Sequence, residues 1–281
     1  MLARFEGWRY WRMVLVSALT LLLCLFQTVY AGDKGIDSIV KHGTLKVGVS
    51  GNQPPYVMHD DAGELMGFDV DLASAIAAAM NVQIEFVELP FEDLLKALDK
   101  RHVDLVMSGM DITLQRSSRA MFVGPYAMAG KSILTSKTSM DKFSELAALN
   151  QASAKVVALA GSTSVEFVEQ LMPKVQLTPV KDYDTGVDMI KSGAADFMVA
   201  DMAICVLSVV MNPDSDLAAL PKPLSLQPIG IAVNAKHPNL HALVGSYLDS
   251  YEKLGMLQQL RLKWFENAEW VGRLPGKKIS L

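Results

Sequence analysis

The sequence predicts a two-lobed α/β protein, because the order strand, helix, strand, helix, strand occurs twice along the chain. The first unit begins near residue 44 and the second near residue 155. Each predicted strand is a short apolar segment followed by small or polar residues. Two further segments, residues 132–136 and 227–233, lead from the first unit to the second and back. Repeated alternation of this kind favours parallel sheets covered by helices.

The first unit shows both periodicities clearly. Residues 45–49 alternate apolar and polar, and residues 84–86 and 103–107 are predicted as further strands. A helix is predicted from apolar residues three or four positions apart: Phe68, Leu72, Ile76 and Ala79. Pro90 precedes a second, shorter helix, whose inward residues are predicted to be Leu94, Leu95 and Leu98.

The second unit repeats this pattern. Strands are predicted at residues 156–159, 175–180 and 197–200. The helix after the first strand carries Val165, Phe167, Val168 and Leu171 and ends before Pro173. Asp184 is predicted to cap a second helix that continues through Ile190.

The C-terminal segment is predicted to return to the first lobe. Residues 239–265 are predicted to be helical and amphipathic, with one apolar face: Leu240, Leu243, Tyr247, Tyr251 and Leu254. The resulting division places residues 32–133 and 229–281 in lobe 1 and residues 134–228 in lobe 2. Two crossings between lobes make a hinge about which they open and close as rigid bodies.

The first 31 residues are predicted to be a signal peptide. Arg4, Arg9 and Arg12 precede an apolar run over residues 13–26, and the small residues of Val29-Tyr30-Ala31 suit cleavage after Ala31. An uncleaved anchor is the alternative, although the run is shorter than the roughly 20 residues of a membrane span. Lipidation of Cys24 is disfavoured because small residues are missing around it. We therefore expect an exported protein.

Composition and charge exclude several classes of protein. The net charge of −4 becomes −6 after cleavage, because the signal carries three arginines and one glutamate. A basic footprint for nucleic acid is absent. Only Cys205 remains after cleavage, so no internal disulfide can form. No second long apolar segment follows residue 31.

The candidate site lies beyond the carboxyl ends of the strands, where open α/β sheets bind ligands. Small, polar and charged residues follow four strands of the two units: Ser50, Asn52, Gln53, Ser108, Gly109, Asp111, Arg116, Gly161, Ser162, Thr163 and Asp201. Arg116 suits a carboxylate and Asp201 an ammonium, so the set suits a zwitterion. Alternatively, Arg116 is a surface charge, Asp201 a helix cap and Gly161 an ordinary turn.

Four segments resemble the family 3 extracellular solute-binding proteins, the polar amino-acid receptors of ABC importers. Residues 67–73 (Gly-Phe-Asp-Val-Asp-Leu-Ala) resemble the family signature, and residues 108–113 with Arg116 resemble its ligand segment. Residues 230–233 and 263–265 resemble the return strand and closing helix. The resemblance covers residues 40 to 270 and implies a type II-like periplasmic-binding-protein fold.

The resemblance also implies roles for individual residues. Arg116 matches the arginine that clamps the ligand α-carboxylate, and Asp201 matches the aspartate that accepts the α-ammonium. Gly109 falls at a backbone contact and Thr163 at a second-lobe carboxylate contact. Phe91 falls where an apolar residue covers the ligand side chain; a plain core role is the alternative.

Three positions depart from the family pattern. Ser50 stands where aspartate is common, Gln53 where an aromatic residue is common, and Asp111 where serine or threonine is usual. With Arg116 and Asp201, Asp111 gives the site a charge of −1, which favours cationic amino acids or amines. Two alternatives are an Asp111–Arg116 ion pair and a cap that faces away from the cleft.

These features predict a monomeric periplasmic binding protein that delivers an amino acid, or a related small amine or acid, to an ABC permease. We expect no cofactor and no metal: Pro238 separates His237 from the helix that carries His241. One rival is a dehydratase of cyclic amino-acid precursors on the same fold, with Asp111 as acid or base. Another is a separate receptor for a sensor kinase.

Overall fold

The computed structural model describes residues 34–140, 149–267 and 269–275. The predicted signal peptide lies outside these residues. Among the helices of the described segments, none is both long and apolar enough to span a membrane.

The first predicted unit is confirmed. Its elements, in chain order, are α1 (Lys34–His42), β1 (Thr44–Val49), β2 (Asn52–Gln53), β3 (Val57–His59), β4 (Leu65–Met66), α2 (Phe68–Ala79), β5 (Gln83–Glu88), α3 (Leu94–Asp99) and β6 (Leu105–Val106). Strands β2, β3 and β4 form a small separate antiparallel sheet that the sequence pattern did not reveal.

The remaining elements confirm the second unit. In chain order they are α4 (Leu114–Ser117), β7 (Ala120–Ser136), α5 (Lys137–Met140), β8 (Lys155–Leu159), α6 (Thr163–Leu171), β9 (Gln176–Val180), α7 (Tyr183–Lys191), β10 (Phe197–Asp201), α8 (Met202–Met211), β11 (Leu217–Ala219), β12 (Ser225–Asn234), α9 (Pro238–Lys253) and α10 (Met256–Arg261). Asp182, rather than Asp184, caps α7, and its side chain accepts a hydrogen bond from the Thr185 amide.

The two units have the same sheet topology. Among the described residues the order is β5-β1-β6-β12-β7-β10-β8-β9, with β11 beside β7. Strands β5, β1 and β6 are parallel, and so are β9, β8 and β10. The first strand of each unit therefore lies between the other two, as right-handed crossovers on a parallel sheet allow.

Strands β7 and β12 connect the two halves. They pair antiparallel from Ala120–Asn234 to Lys131–Ser225, with a register shift between Ile229 and Ile231. Strand β12 also pairs with β6 in the first half, and β7 pairs with β10 in the second. Pairing with β10 begins at Lys131, so residues 132–136 already lie within the second half. The exact lobe boundaries stay a prediction.

The C-terminal segment packs on the first half, as two α-helices, a short π-helix (Leu262–Glu266) and a 3₁₀ helix (Glu269–Arg273). Leu240, Val244 and Trp264 are buried in one cluster with residues of β1 and α2. The tail is helical as predicted, but it is divided, because α9 ends at Lys253 and Gly255 adopts φ of 75°. Leu254 is consequently 76% exposed and does not belong to the buried face.

Candidate functional site

The carboxyl ends of β1, β6, β8 and β10 meet at a seam between the two halves, as open α/β sheets require of a binding site. An apolar cluster crosses this seam, with Phe91 and Met110 from the first half and Leu159 and Met198 from the second. Two cavities open beside it, of ≈ 280 and ≈ 260 Å³. Phe91 lines both of them. The halves are therefore in contact in this structure.

Arg116 is buried at the seam rather than exposed on a surface helix. It lies in the one-turn helix α4, whose N-cap Thr113 accepts a hydrogen bond from the Arg116 amide. Its Nη1 donates to the Asp111 carbonyl at 3.0 Å, and its Nη2 donates to the Gly161 carbonyl at 3.0 Å. The guanidinium thus connects the two halves through main-chain oxygens.

Asp111 faces the seam as well. Its Oδ2 accepts a hydrogen bond from the Thr163 hydroxyl and lies 3.2 Å from the Lys131 ammonium. Neither alternative from the sequence holds, since the carboxylate forms no ion pair with Arg116 and is 4% exposed. Thr163 also lies 2.9 Å from Gln227 Oε1, so one hydroxyl joins both halves and the return strand.

Asp201 is paired with a residue that sequence reasoning missed. Lys131, on β7, lies directly opposite Asp201 of β10, and its Nζ is 2.5 Å from Asp201 Oδ1. Asp201 occupies the N-cap position of α8, yet its side chain makes no capping hydrogen bond. The capping interpretation is therefore wrong, and the carboxylate instead completes a Lys131–Asp111–Asp201 cluster at the seam.

The ionisation of this cluster follows from two opposing effects. Burial raises the pKa of Asp201, while the adjacent ammonium of Lys131 lowers it. Burial lowers the pKa of Lys131, but the carboxylates of Asp201 and Asp111 outweigh this and raise it above its ordinary value. The pKa of Asp201 stays above its ordinary value, because burial outweighs the 2.5 Å contact with Lys131.

Lys131 changes the charge of the site. The sequence-based sum of −1 counted Arg116, Asp111 and Asp201 alone, and adding Lys131 makes it zero. A signal for this residue was present: Lys131 stands in the otherwise uncharged stretch from residue 120 to 136, where a buried strand is expected.

Gly109 lies at a position where no side chain would fit. Its φ is 58°, and a Cβ atom there would come within 2.6 Å of the Tyr56 ring. Its amide donates to Asp69 Oδ2 at 2.7 Å, at the N-terminal turn of α2. This contact fixes the loop after β6 on the first half.

The other predicted residues surround the same seam. The hydroxyl of Ser50 lies 2.8 Å from that of Ser108, and Ser50 lines the smaller cavity. Gln53 is buried and packs beside Gly109. Phe91 lies beneath Arg116, with the guanidinium carbon 5.6 Å from the ring centroid, so it is both a core residue and a wall of the cavities. The structure brings all eight candidate residues to one region, and their contact with a ligand stays a prediction.

Residues 45–267 match the model of the bacterial extracellular solute-binding proteins, family 3. The L-cystine-binding protein TcyJ of Escherichia coli is 26% identical over 253 residues, 89% of this chain and 93% of the relative. Cyclohexadienyl dehydratase of Pseudomonas aeruginosa is 27% identical over 257 residues, covering 90% and 94%. A mutant of ArgBP from T. maritima superposes with a TM-score of 0.78 at 31% identity, covering 83% of this chain and 100% of that one.

Proposed function

Because the chain belongs to family 3 of the bacterial extracellular solute-binding proteins, we propose that it binds a small carboxylate compound at the seam through Arg116 and delivers it to an ABC permease. The candidate ligands are amino acids and related small acids. Relatives are named for cystine, arginine and glutamine, so the family membership alone leaves the ligand open.

The position of Arg116 carries this proposal. Its guanidinium donates to carbonyl oxygens of both halves, Asp111 and Gly161, and to no carboxylate among the described residues. A ligand carboxylate accepting the same donors would gain a charge-assisted, bidentate contact that carbonyls cannot match. It would stabilise closure, because Arg116 belongs to the first half while Gly161 and Ser162 of the second half line the same cavity.

Substitution of Arg116 tests the proposal. We expect Arg116→Ala to weaken ligand binding by roughly 1.5–3 kcal/mol, the range for a hydrogen bond to a charged group. Isothermal titration calorimetry measures this, using a ligand first found by thermal-shift screening. Arg119→Ala is the matched control, since Arg119 lines the same cavity but pairs with Asp99. Unchanged affinity in Arg116→Ala would contradict the assignment.

Catalysis by a dehydratase mechanism is the second candidate. The similarity to cyclohexadienyl dehydratase over 90% of the chain favours it, as does a buried carboxylate, Asp201, whose pKa burial raises. We nevertheless propose binding without turnover, because Asp111 and Asp201 are both engaged by Lys131. Incubation with cyclohexadienyl compounds, followed by chromatography, decides between them, and product above the uncatalysed rate would establish the enzyme.

We further propose export to the periplasm with cleavage after Ala31, and a monomeric mature protein that meets a membrane permease. Intact mass of the exported protein reports the cleavage site. Size-exclusion chromatography with light scattering reports the oligomeric state.

A further inference from the structure

Lys131 lies at the seam between two buried acids, Asp111 and Asp201, and contacts both of them. Its side chain is 3% exposed, and its Nζ lies 2.5 Å from Asp201 Oδ1 and 3.2 Å from Asp111 Oδ2. One carboxylate follows the last strand of the first unit and the other ends the last strand of the second. A cation supplied by the protein therefore joins the two acids that would otherwise receive a ligand ammonium.

A ligand ammonium would have to displace this lysine. Lys131 is held in place by its strand, since β7 pairs with β10 at Lys131–Asp201 itself. A tethered group competes at a high effective concentration, whereas a free ligand competes only at its concentration in solution. Displacement would also leave the ammonium of Lys131 buried without a carboxylate, which is strongly unfavourable.

The remaining groups at the seam suit an anion with a neutral polar substituent. Arg116 keeps its positive charge without a carboxylate partner among the described residues. Asp111 Oδ1 is buried and has no hydrogen-bond donor within the same part of the chain. A hydroxyl group can donate to this oxygen while Lys131 keeps its contact with the other oxygen, Oδ2.

We propose that Lys131 substitutes for the ligand ammonium, so that the protein selects carboxylates without an α-amino group, and in particular 2-hydroxy acids. The ligand carboxylate contacts Arg116 and its hydroxyl donates to Asp111. This inference rests on the proposed function, since it requires the same Arg116 contact, but it narrows the ligand to one chemical class.

Matched pairs of ligands test the inference on the wild-type protein. Each pair shares a carbon skeleton: alanine and lactate, glutamate and 2-hydroxyglutarate, phenylalanine and phenyllactate. We expect the hydroxy acid to bind at least tenfold tighter than the amino acid in every pair for which calorimetry detects binding. An amino acid that binds as tightly as its hydroxy partner, or more tightly, overturns the inference while leaving the proposed function intact. If no member of any pair and no other amino acid binds, both fail.

A substitution at Lys131 sharpens the test. In Lys131→Gln the two aspartates are free to accept an ammonium, so the affinity ratio should move toward the amino acid by tenfold or more. Lys181→Gln is the matched control, because Lys181 lines the smaller cavity at the same seam, and its side chain is 82% exposed. A ratio unchanged in folded Lys131→Gln contradicts the role of Lys131. Should that variant fail to fold, the wild-type pairs still decide.

Discussion

The two halves each bury an aspartate near the seam, and they stabilise it in different ways. In the first half, Asp69 lies at the start of α2 and accepts a hydrogen bond from the Gly109 amide. In the second half, Asp201 ends β10 and meets the ammonium of Lys131. Both aspartates are at most 5% exposed. They are therefore similarly buried, and they differ in the group that contacts the carboxylate.

The partner decides the charge of each carboxyl group. Burial raises the pKa of Asp69 to about 7, and the Tyr126 hydroxyl and Gly109 amide only partly oppose this. Burial raises the pKa of Asp201 as well, but there a full positive charge opposes it at 2.5 Å. Hydrogen-bond dipoles thus leave the pKa of Asp69 near 7, whereas a lysine counteracts the burial of Asp201, whose pKa stays above its ordinary value.

Removing the cation should have the largest effect on stability. We expect Lys131→Met to lower the free energy of unfolding at pH 7 by roughly 5 kcal/mol, the upper end for breaking a buried ion pair, because two carboxylates lose their partner. Urea denaturation followed by circular dichroism measures the loss.

A compensated variant separates charge from packing. Adding Asp111→Asn and Asp201→Asn to Lys131→Met removes the unpaired charges and should recover most of the lost stability. If the single variant is as stable as the wild type, Lys131 is not paired with these carboxylates in solution.

Asp69 should make stability depend on pH. The folded protein keeps this proton until the pH reaches the raised pKa of about 7, while the unfolded chain loses it near the ordinary aspartate pKa of 3.8. Between these values the folded state binds more protons, so its contribution to stability falls as pH rises. The rise of the Asp69 pKa from 3.8 to about 7 corresponds to about 4 kcal/mol across this window.

The variant Asp69→Asn isolates that contribution. It cannot ionise, and its amide oxygen can still accept the Gly109 hydrogen bond. Subtracting its unfolding free energy from that of the wild type, from pH 4 to pH 8, should give a difference that declines toward pH 7 and then levels. A difference that does not vary with pH would show that Asp69 is ionised throughout.

The fold was largely predictable because its signals are local. Alternating residues of β1 and the three-to-four spacing in α2 each lie within one element, and both elements form as predicted. The tail was predicted less well: the apolar spacing continues through Leu254, but Gly255 in the left-handed region ends the helix there. The backbone conformation of this one glycine therefore ends the helix, although the apolar spacing alone would predict that it continues.

The site was predictable only in part, because its decisive contact is not local. Strand ends and the family resemblance predicted that Arg116, Asp111 and Asp201 lie in one region, and the structure has them at one seam; their contact with a ligand stays a prediction. The register that sets Lys131 opposite Asp201 joins residues 70 positions apart, and no local pattern encodes it. Only a charged residue within an uncharged strand sequence hinted at the missing partner.

The smallest effect on stability is expected at the surface, at the start of α7, where two neighbouring aspartates again differ in their hydrogen-bond partners. Asp182 accepts a hydrogen bond from the Thr185 amide at 2.7 Å. Its hydrogen bonds with Thr185 outweigh partial burial and lower the pKa of Asp182. Burial and the neighbouring Asp182 and Asp188 instead raise the pKa of Asp184.

These differences predict unequal losses of stability for two aspartate-to-alanine substitutions two residues apart. Asp182→Ala removes a helix cap and should cost about 1 kcal/mol at pH 7. Asp184→Ala removes no cap and relieves repulsion, so its effect should stay within about 0.5 kcal/mol of zero. Because the pKa of Asp182 is depressed in the folded state, its contribution is present at neutral pH and disappears as pH falls through that pKa. Urea denaturation of both variants at pH 7 measures the contrast, and a larger loss in Asp184→Ala would restore Asp184 as the cap.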